Sequence, residues 1–254
     1  MELTKLTGEE FARKILGGER DFANIRLERN FHLSEHPSFS DIQKYLQEED
    51  LSDCPIILRN SELIGIMANG LSLPFLDGES ANLERAFIPY ANLMSGNFAR
   101  ANLSNAYFNG TNFSRDSAMQ RATNFQGALL FQTDFRHANL INSLFYDVDA
   151  TGGNFQGALL CMAIFYNTNL EDANLERSDL TGSYFKKTDF IRTFLKGACF
   201  DHAYLEDTRN LGNSYDLDAA VFRETHVTKK EKQIIQKALA KRKDGLLENL
   251  VFVS

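Results

Sequence analysis

From Thr123 to Asp207 the chain reads TNFQG ALLFQ TDFRH ANLIN SLFYD VDATG GNFQG ALLCM AIFYN TNLED ANLER SDLTG SYFKK TDFIR TFLKG ACFDH AYLED. From Ala81 to Arg115 it reads ANLER AFIPY ANLMS GNFAR ANLSN AYFNG TNFSR. The period is five. Take the third residue of each pentapeptide as its centre. Of 24 centres, 11 are Phe, 11 are Leu, and the others are Ile88 and Ala150. Two residues before each centre stands a small residue: 12 Ala, 6 Thr, 3 Ser, 2 Gly and Val148. Helices repeat their apolar positions every 3.6 residues and strands every 2. A period of five fits neither. It fits a short extended segment that points two residues inward and then turns. Four right-angle turns close a square coil of about 20 residues, and coils stack about 4.8 Å apart. The large residue fills the axis, and the small one lets the corners approach. The positions between are mostly Asn, Asp, Arg, Gln, Ser and Gly, which suits solvent.

These residues resemble the pentapeptide-repeat family, whose consensus is A-(D/N)-(L/F)-X-X. Ala101-Asn102-Leu103 and Ala173-Asn174-Leu175 match it residue by residue. The resemblance covers Ala81 to Asp207. It implies an all-β solenoid, a right-handed quadrilateral β-helix, here of about six to seven coils with short terminal helices. Because the residues offer no catalytic constellation, the expected function is a non-catalytic scaffold that presents a flat face to a protein partner. Some members of the family mimic duplex DNA and bind the type II topoisomerase gyrase. That is the alternative reading, and loops projecting from the coil are functional in those proteins.

Outside the regular run, the chain divides into four expected parts. Residues 1–55 form a helical and irregular segment with a partial coil at Asp21-Phe22 and Ile25-Arg26-Leu27. Residues 56–80 form a degenerate capping coil, with Leu58, Leu63, Ala68, Leu73 and Gly78 as centres. Residues 81–211 are the β-helix, and 212–254 a C-terminal helix and apolar tail. Thr7-Gly8-Glu9-Glu10 reads as a capping box opening a helix that Gly17 stops. Ser40-Asp41 opens a second helix, expected to be short because Glu48-Glu49-Asp50 oppose the helix dipole. Thr228-Lys229-Lys230-Glu231 reads as another capping box, starting a basic helix to about Lys243. Ile234, Ile235, Leu239, Leu246, Leu250 and Phe252 are candidate cap or dimer contacts, since an open coil end exposes an apolar axis and unpaired edges. Between Phe113 and Phe125 the register slips, read as two residues too many for two repeats and absorbed as a bulge.

The chain has 254 residues and a net charge of −7. Residues 1–80 carry net −7, 81–207 net −3 and 208–254 net +3. A net −3 over the repeats is a weak field beside DNA, which carries one charge per roughly 1.7 Å. The basic C-terminal helix reads as a solvated face, so nucleic acid is not an expected partner. No apolar run reaches the roughly 18–20 residues of a membrane span. Residues Met1 to Glu10 lack a signal peptide's apolar region, so the expected compartment is a reducing cytoplasm. The five His residues share no metal-like spacing with Cys or carboxylates, and no cofactor, metal or catalytic site is expected.

Stacking every fourth pentapeptide puts Leu144, Tyr146, Ile164, Tyr166, Tyr184 and Tyr204 on one face, the candidate protein-interaction surface. Tyr is enriched at binding hot spots, but a Tyr ladder also stabilises neighbouring strands. Ile141, Leu159, Cys161 and Met162 make a smaller second candidate. Homodimerisation is a further possibility.

Overall fold

A computed structural model describes residues 2–241 and 251–252. It is the all-β solenoid, a right-handed quadrilateral β-helix. Parallel bridges join each segment to the one four pentapeptides later, as in Ile57 to Asp77 to Asn97 and Asn154 to Asn174. Each coil is bonded to the next: the Leu83 N–H donates to the Asn102 carbonyl (2.8 Å), and the Asn102 N–H donates back to Ala81 (2.9 Å). The four corners are tight because the fifth residue of every regular pentapeptide except Arg115, which precedes the register slip, has positive φ. That position holds Asn105, Asp172 and Gly182, among others, and also Tyr90 and Met162. Asn and Asp tolerate this left-handed conformation. Tyr and Met there carry a conformational cost, offset by the ladder bonds on either side.

The centres fill the axis. Phe98, Phe125, Phe145, Phe165 and Phe185 form one column, stacked at 5.6, 5.1, 4.7 and 4.7 Å. Phe108, Phe135 and Phe155 form another. The inward small residues are buried, and most of the hydroxyls among them donate to a carbonyl, such as Thr168 to Phe145 (2.6 Å). Towards the N-terminus, Leu and Ile replace Phe, and the axis keeps an apolar cavity of about 30 Å³ beside Ala68, Leu73 and Phe98.

On one side the segments lengthen into strands. We number elements along the chain: β1 (Thr4–Leu6), α1 (Gly8–Leu16), β2 (Ile25–Leu27), α2 (Phe39–Glu48), β3 (Leu144–Tyr146), β4 (Ile164–Tyr166), β5 (Tyr184–Lys186), β6 (Tyr204–Glu206), β7 (His226–Val227), α3 (Lys229–Leu239) and β8 (Val251–Phe252). Strands β3 to β8 form one parallel sheet in chain order. The ladder thus extends past the regular repeats. After β6 the coil is longer than a regular one, since Tyr204 pairs with His226, and it accommodates two single turns of 3₁₀ helix at Leu211–Asn213 and Leu217–Ala219.

Both ends are covered. Thr7 caps α1 through a reciprocal box with Glu10, and Phe11, Ala12 and Ile15 are buried. Helix α2 is longer than its acidic C-terminus suggests, running from Phe39 to Glu48. Ile42 and Leu46 pack on the core, and Arg20 pairs with Glu49 at 2.8 Å, neutralising the charge at the helix end. One hydrophobic core joins these helices to every coil, from Phe11 to Leu239. Helix α3 is not held by a capping box. Thr228 makes no side-chain cap; its hydroxyl donates to Glu231. The other Glu231 oxygen is buried and accepts from the Thr208 N–H (2.9 Å) and hydroxyl (3.0 Å). Glu231 therefore pins the helix to the last coil instead of capping its first turn.

The register slip is larger than two residues. The bridges Asn97 to Asn124, Asn102 to Leu129 and Tyr107 to Asp134 each reach seven positions further than a regular coil does, so one coil carries seven extra. A spacing of twelve between centres reads equally as ten plus two or five plus seven. The ladder selects the second. Arg115 has left the corner conformation but its N–H still makes the ladder bond to the Ile141 carbonyl (3.3 Å), so the excursion is Asp116–Ala122. It closes on itself through Asp116 N–H to Arg121 carbonyl (3.3 Å), and is tied to the stack by the Ser95 hydroxyl donating to Arg121 (2.5 Å).

Candidate protein-interaction surfaces

The sheet places the predicted stripe residues in two parallel columns. Leu144, Ile164, Tyr184, Tyr204 and His226 lie in register along one, and Tyr146, Tyr166, Lys186 and Glu206 along the other. Their side chains are largely spent on one another. Tyr146 and Tyr166 rings lie 6.0 Å apart, and Tyr184 and Tyr204 6.3 Å. Tyr204 stacks flat on His226 at 4.2 Å. The Tyr184 hydroxyl donates to Glu206 (2.5 Å), which also accepts from the Lys186 ammonium (2.7 Å). The Lys186 partner holds the Glu206 carboxyl below the usual carboxylate range, with the Tyr184 hydroxyl second. Burial, then Glu206, pushes the Tyr184 phenol up. Of the six stripe residues only Tyr204 is exposed, at 39%. Leu144 instead lines a cleft under the Asp116–Ala122 excursion. His226 belongs to this column but lies past the point where the repeats lose register, so periodicity does not reach it.

More apolar surface is open on the side opposite the sheet. Met67, Phe87, Tyr107 and Asp134 follow one another in that ladder. The Phe87 and Tyr107 rings lie 5.7 Å apart, 38% and 48% exposed, and Tyr90 at the adjoining corner is 71% exposed. Tyr90 lies over Gly110 of the next coil: a Cβ there would meet its ring at 2.7 Å. Arg136, held by Asp134 at 2.6 Å, borders the two tyrosines. Phe194 and Tyr215, 4.8 Å apart, repeat the arrangement further along the same face. The sequence signal for this cluster is weak, because Tyr90 is a corner residue and Phe87 and Tyr107 belong to the run before the excursion.

In the smaller second candidate, Leu159 and Met162 are exposed, while Ile141 and Cys161 are half-buried. Burial pushes the Cys161 thiol up to about 12. Among the C-terminal candidates, Ile235 and Leu239 are buried against the core and Ile234 packs partly buried beside it. Leu246 and Leu250 lie outside the described residues. Phe252 is described only through its backbone pairing with Val227.

The pentapeptide-repeat profile matches in eight copies, over residues 79–115, 123–160 and 168–207. The chain is a pentapeptide-repeat protein. The profile stops where the excursion begins and resumes at Thr123. The fold is similar to that of HetL, a pentapeptide-repeat protein involved in heterocyst differentiation regulation in the cyanobacterium Nostoc: 22% identity over 87% of this chain and 96% of HetL, TM-score 0.43. A trypsin-treated form of QnrB1, a plasmid-mediated fluoroquinolone resistance protein, is 18% identical over 68% of this chain and 97% of its own, TM-score 0.37. A thylakoid-lumen pentapeptide-repeat protein of Arabidopsis thaliana is 21% identical over 54% and 75%, TM-score 0.33. No curated protein sequence matches the chain. Among the described residues no group of His, Cys, Asp and Glu is arranged to hold a metal, and no helix is long and apolar enough to cross a membrane.

Proposed function

We propose that this pentapeptide-repeat protein is a non-catalytic scaffold whose rigid coil presents an aromatic face to a protein partner. The observation that carries the reading is the Phe87–Tyr90–Tyr107 cluster beside Arg136. Tyr and Arg dominate binding hot spots, and large exposed rings on a preorganised frame lose little conformational entropy on contact. The ladder underneath does not need these rings: the backbone bonds are made without them. The Tyr146–Tyr204 stripe is the weaker candidate, because its rings and charges are already partnered.

The test is quantitative capture of partners from native lysate, with Tyr90→Ser/Tyr107→Ser compared with Tyr146→Ser/Tyr166→Ser/Tyr184→Ser and with the unaltered chain. The first variant loses the captured protein at unchanged melting temperature, and the second retains it. A profile unaffected by Tyr90 and Tyr107 would remove this face as the contact. Light scattering on the same three proteins separates a second copy of the chain from a different partner.

The gyrase-directed reading gains one supporting observation, the seven-residue Asp116–Ala122 excursion, in a family where projecting loops are functional. The weak net charge of the repeats still opposes it. A supercoiling assay with a type II topoisomerase decides it: no effect at micromolar protein removes that reading.

A further inference from the structure

The excursion folds back along its corner of the coil and roofs a cleft of about 570 Å³ on the sheet-side face, opposite the aromatic cluster. That volume lies within the range of small-molecule sites. Its floor is an amide ladder. Asn97 donates to Asp77 (3.2 Å), and Asn124 donates to Asn97 (3.3 Å). The next residue in the column is Leu144, so the ladder ends at Asn124. One Asn124 amide proton and one carbonyl lone pair have no partner in the ladder. Asp77, at the other end, is neutralised by Arg59, whose Nε donates to it at 2.6 Å. Arg121, from the excursion, forms the wall. Its backbone carbonyl is fixed by Ser95, and its guanidinium lies 5.9 Å from the centre of the Phe75 ring. That guanidinium has no carboxylate partner among the described residues. Phe75 and Pro55 give apolar surface at one end and Leu144 at the other, and Gln120 of the excursion adds a second polar side chain beside Arg121.

The open groups are thus one cation beside an aromatic ring, one terminal amide and the apolar side chains at the two ends. We infer that the cleft binds a small organic carboxylate with an apolar body. Arg121 takes the carboxylate, the Asn124 amide proton donates to its second oxygen, and the body lies on Phe75 and Leu144. A planar two-oxygen anion suits a guanidinium fork. A phosphate would bring more charge than one arginine offsets, and would leave Phe75 and Leu144 uncovered. The inference is independent of the protein-contact reading, whose residues lie on the opposite face.

Phenylacetate is the probe, with phenylacetamide as its neutral counterpart and inorganic phosphate as the bare anion. Saturation-transfer NMR on the full chain should show saturable phenylacetate binding in roughly the millimolar range expected of so small a ligand. Arg121→Gln should weaken it about tenfold, as should replacing the carboxylate by the amide. Asn124→Leu, which extends the apolar column of Leu144 but also removes the bonds to Asn97 and from the Gln126 N–H, should weaken it too, with folding checked by the far-UV spectrum. Arg100→Gln, which alters an arginine already paired with Glu79, should have no effect. Absence of saturable phenylacetate binding overturns the inference. So does equal binding by Arg121→Gln, an equal effect of Arg100→Gln, or phosphate binding as tightly as phenylacetate.

Discussion

Phe165 and Tyr166 are neighbours in strand β4, and the fold requires them to behave oppositely. Phe165 is fully buried, with the rings of Phe145 and Phe185 each 4.7 Å away and within 2° and 5° of parallel. Removing a core Phe side chain costs about 3–5 kcal/mol, rising with the cavity left behind. The coils above and below are fixed by ladder bonds and cannot close the gap, and each stacked pair is worth about 0.5–1.5 kcal/mol beyond its buried area. Phe165→Ala should therefore fall in the upper half of the range, about 4–5 kcal/mol. Tyr166 points outward. It meets Tyr146 at 6.0 Å and lies 5.7 Å under the Lys187 ammonium, both partly solvated contacts. Cross-strand pairs of this kind are worth about 0.2–1 kcal/mol, so Tyr166→Ala should cost about 1 kcal/mol. Urea unfolding followed by far-UV circular dichroism measures both. Because side chains alternate between faces, a register wrong by one residue exchanges the two values. Equal costs, or a larger cost at Tyr166, would refute the assignment of inward and outward positions.

Four further outcomes follow from the packing. Thr123 Oγ1 is the one buried side-chain polar atom without a hydrogen-bond partner among the described residues, at the point where the excursion rejoins the coil; Thr123→Val should stabilise by about 1 kcal/mol in the same unfolding assay. Ala150 is a fully buried centre with Val148 buried beside it, so Ala150→Leu should overpack the axis and lower the melting temperature, at a cost of about 1–3 kcal/mol. Iodoacetamide at pH 8 should alkylate the exposed Cys54 first and leave Cys161 unmodified, since its thiol is held at about 12; peptide mass spectrometry reads the order. Glu206 is held below the ordinary carboxylate value when folded, so its contribution is complete above the unfolded value of about pH 4.3 and is lost as pH falls through the folded one. Glu206→Gln should accordingly give a shallower loss of melting temperature on acidification, by a small amount because the group is solvated.

The repeat is legible because a single geometric rule governs it. Every coil must fill the same axis, so 23 of 24 centres are large and apolar, and the chemistry shows at each fifth residue. The parallel stacking of the stripe columns follows from the same arithmetic. What arithmetic modulo five cannot distinguish is an insertion of two residues from one of seven, so the sequence understates the excursion. The corners are also hard to read. Their residues are selected by backbone conformation, so Gly, Asn and Asp fill about half of them and polar residues most of the rest, and the apolar pair Tyr90 and Met162 become the most exposed large hydrophobic side chains among the described residues only once the turn is built. Function is less legible still. An outward Tyr looks the same in sequence whether it stacks on its neighbour, as Tyr204 does on His226, or stands clear, as Tyr90 does. Glu231 shows a similar ambiguity: its spacing from Thr228 satisfies a capping rule, but burial against Thr208 gives it a different partner.

The coil is an independent framework that carries surface features without depending on them. Excising Asp116–Ala122 tests this directly, because the deletion joins Arg115, which still makes its ladder bond, to Thr123 and restores a coil of regular length across the gap. The excised protein should keep its far-UV spectrum and melt cooperatively at or above the temperature of the full chain. Loss of the β spectrum, or a melting temperature lowered by about ten degrees or more (roughly a 3–5 kcal/mol defect), would contradict it.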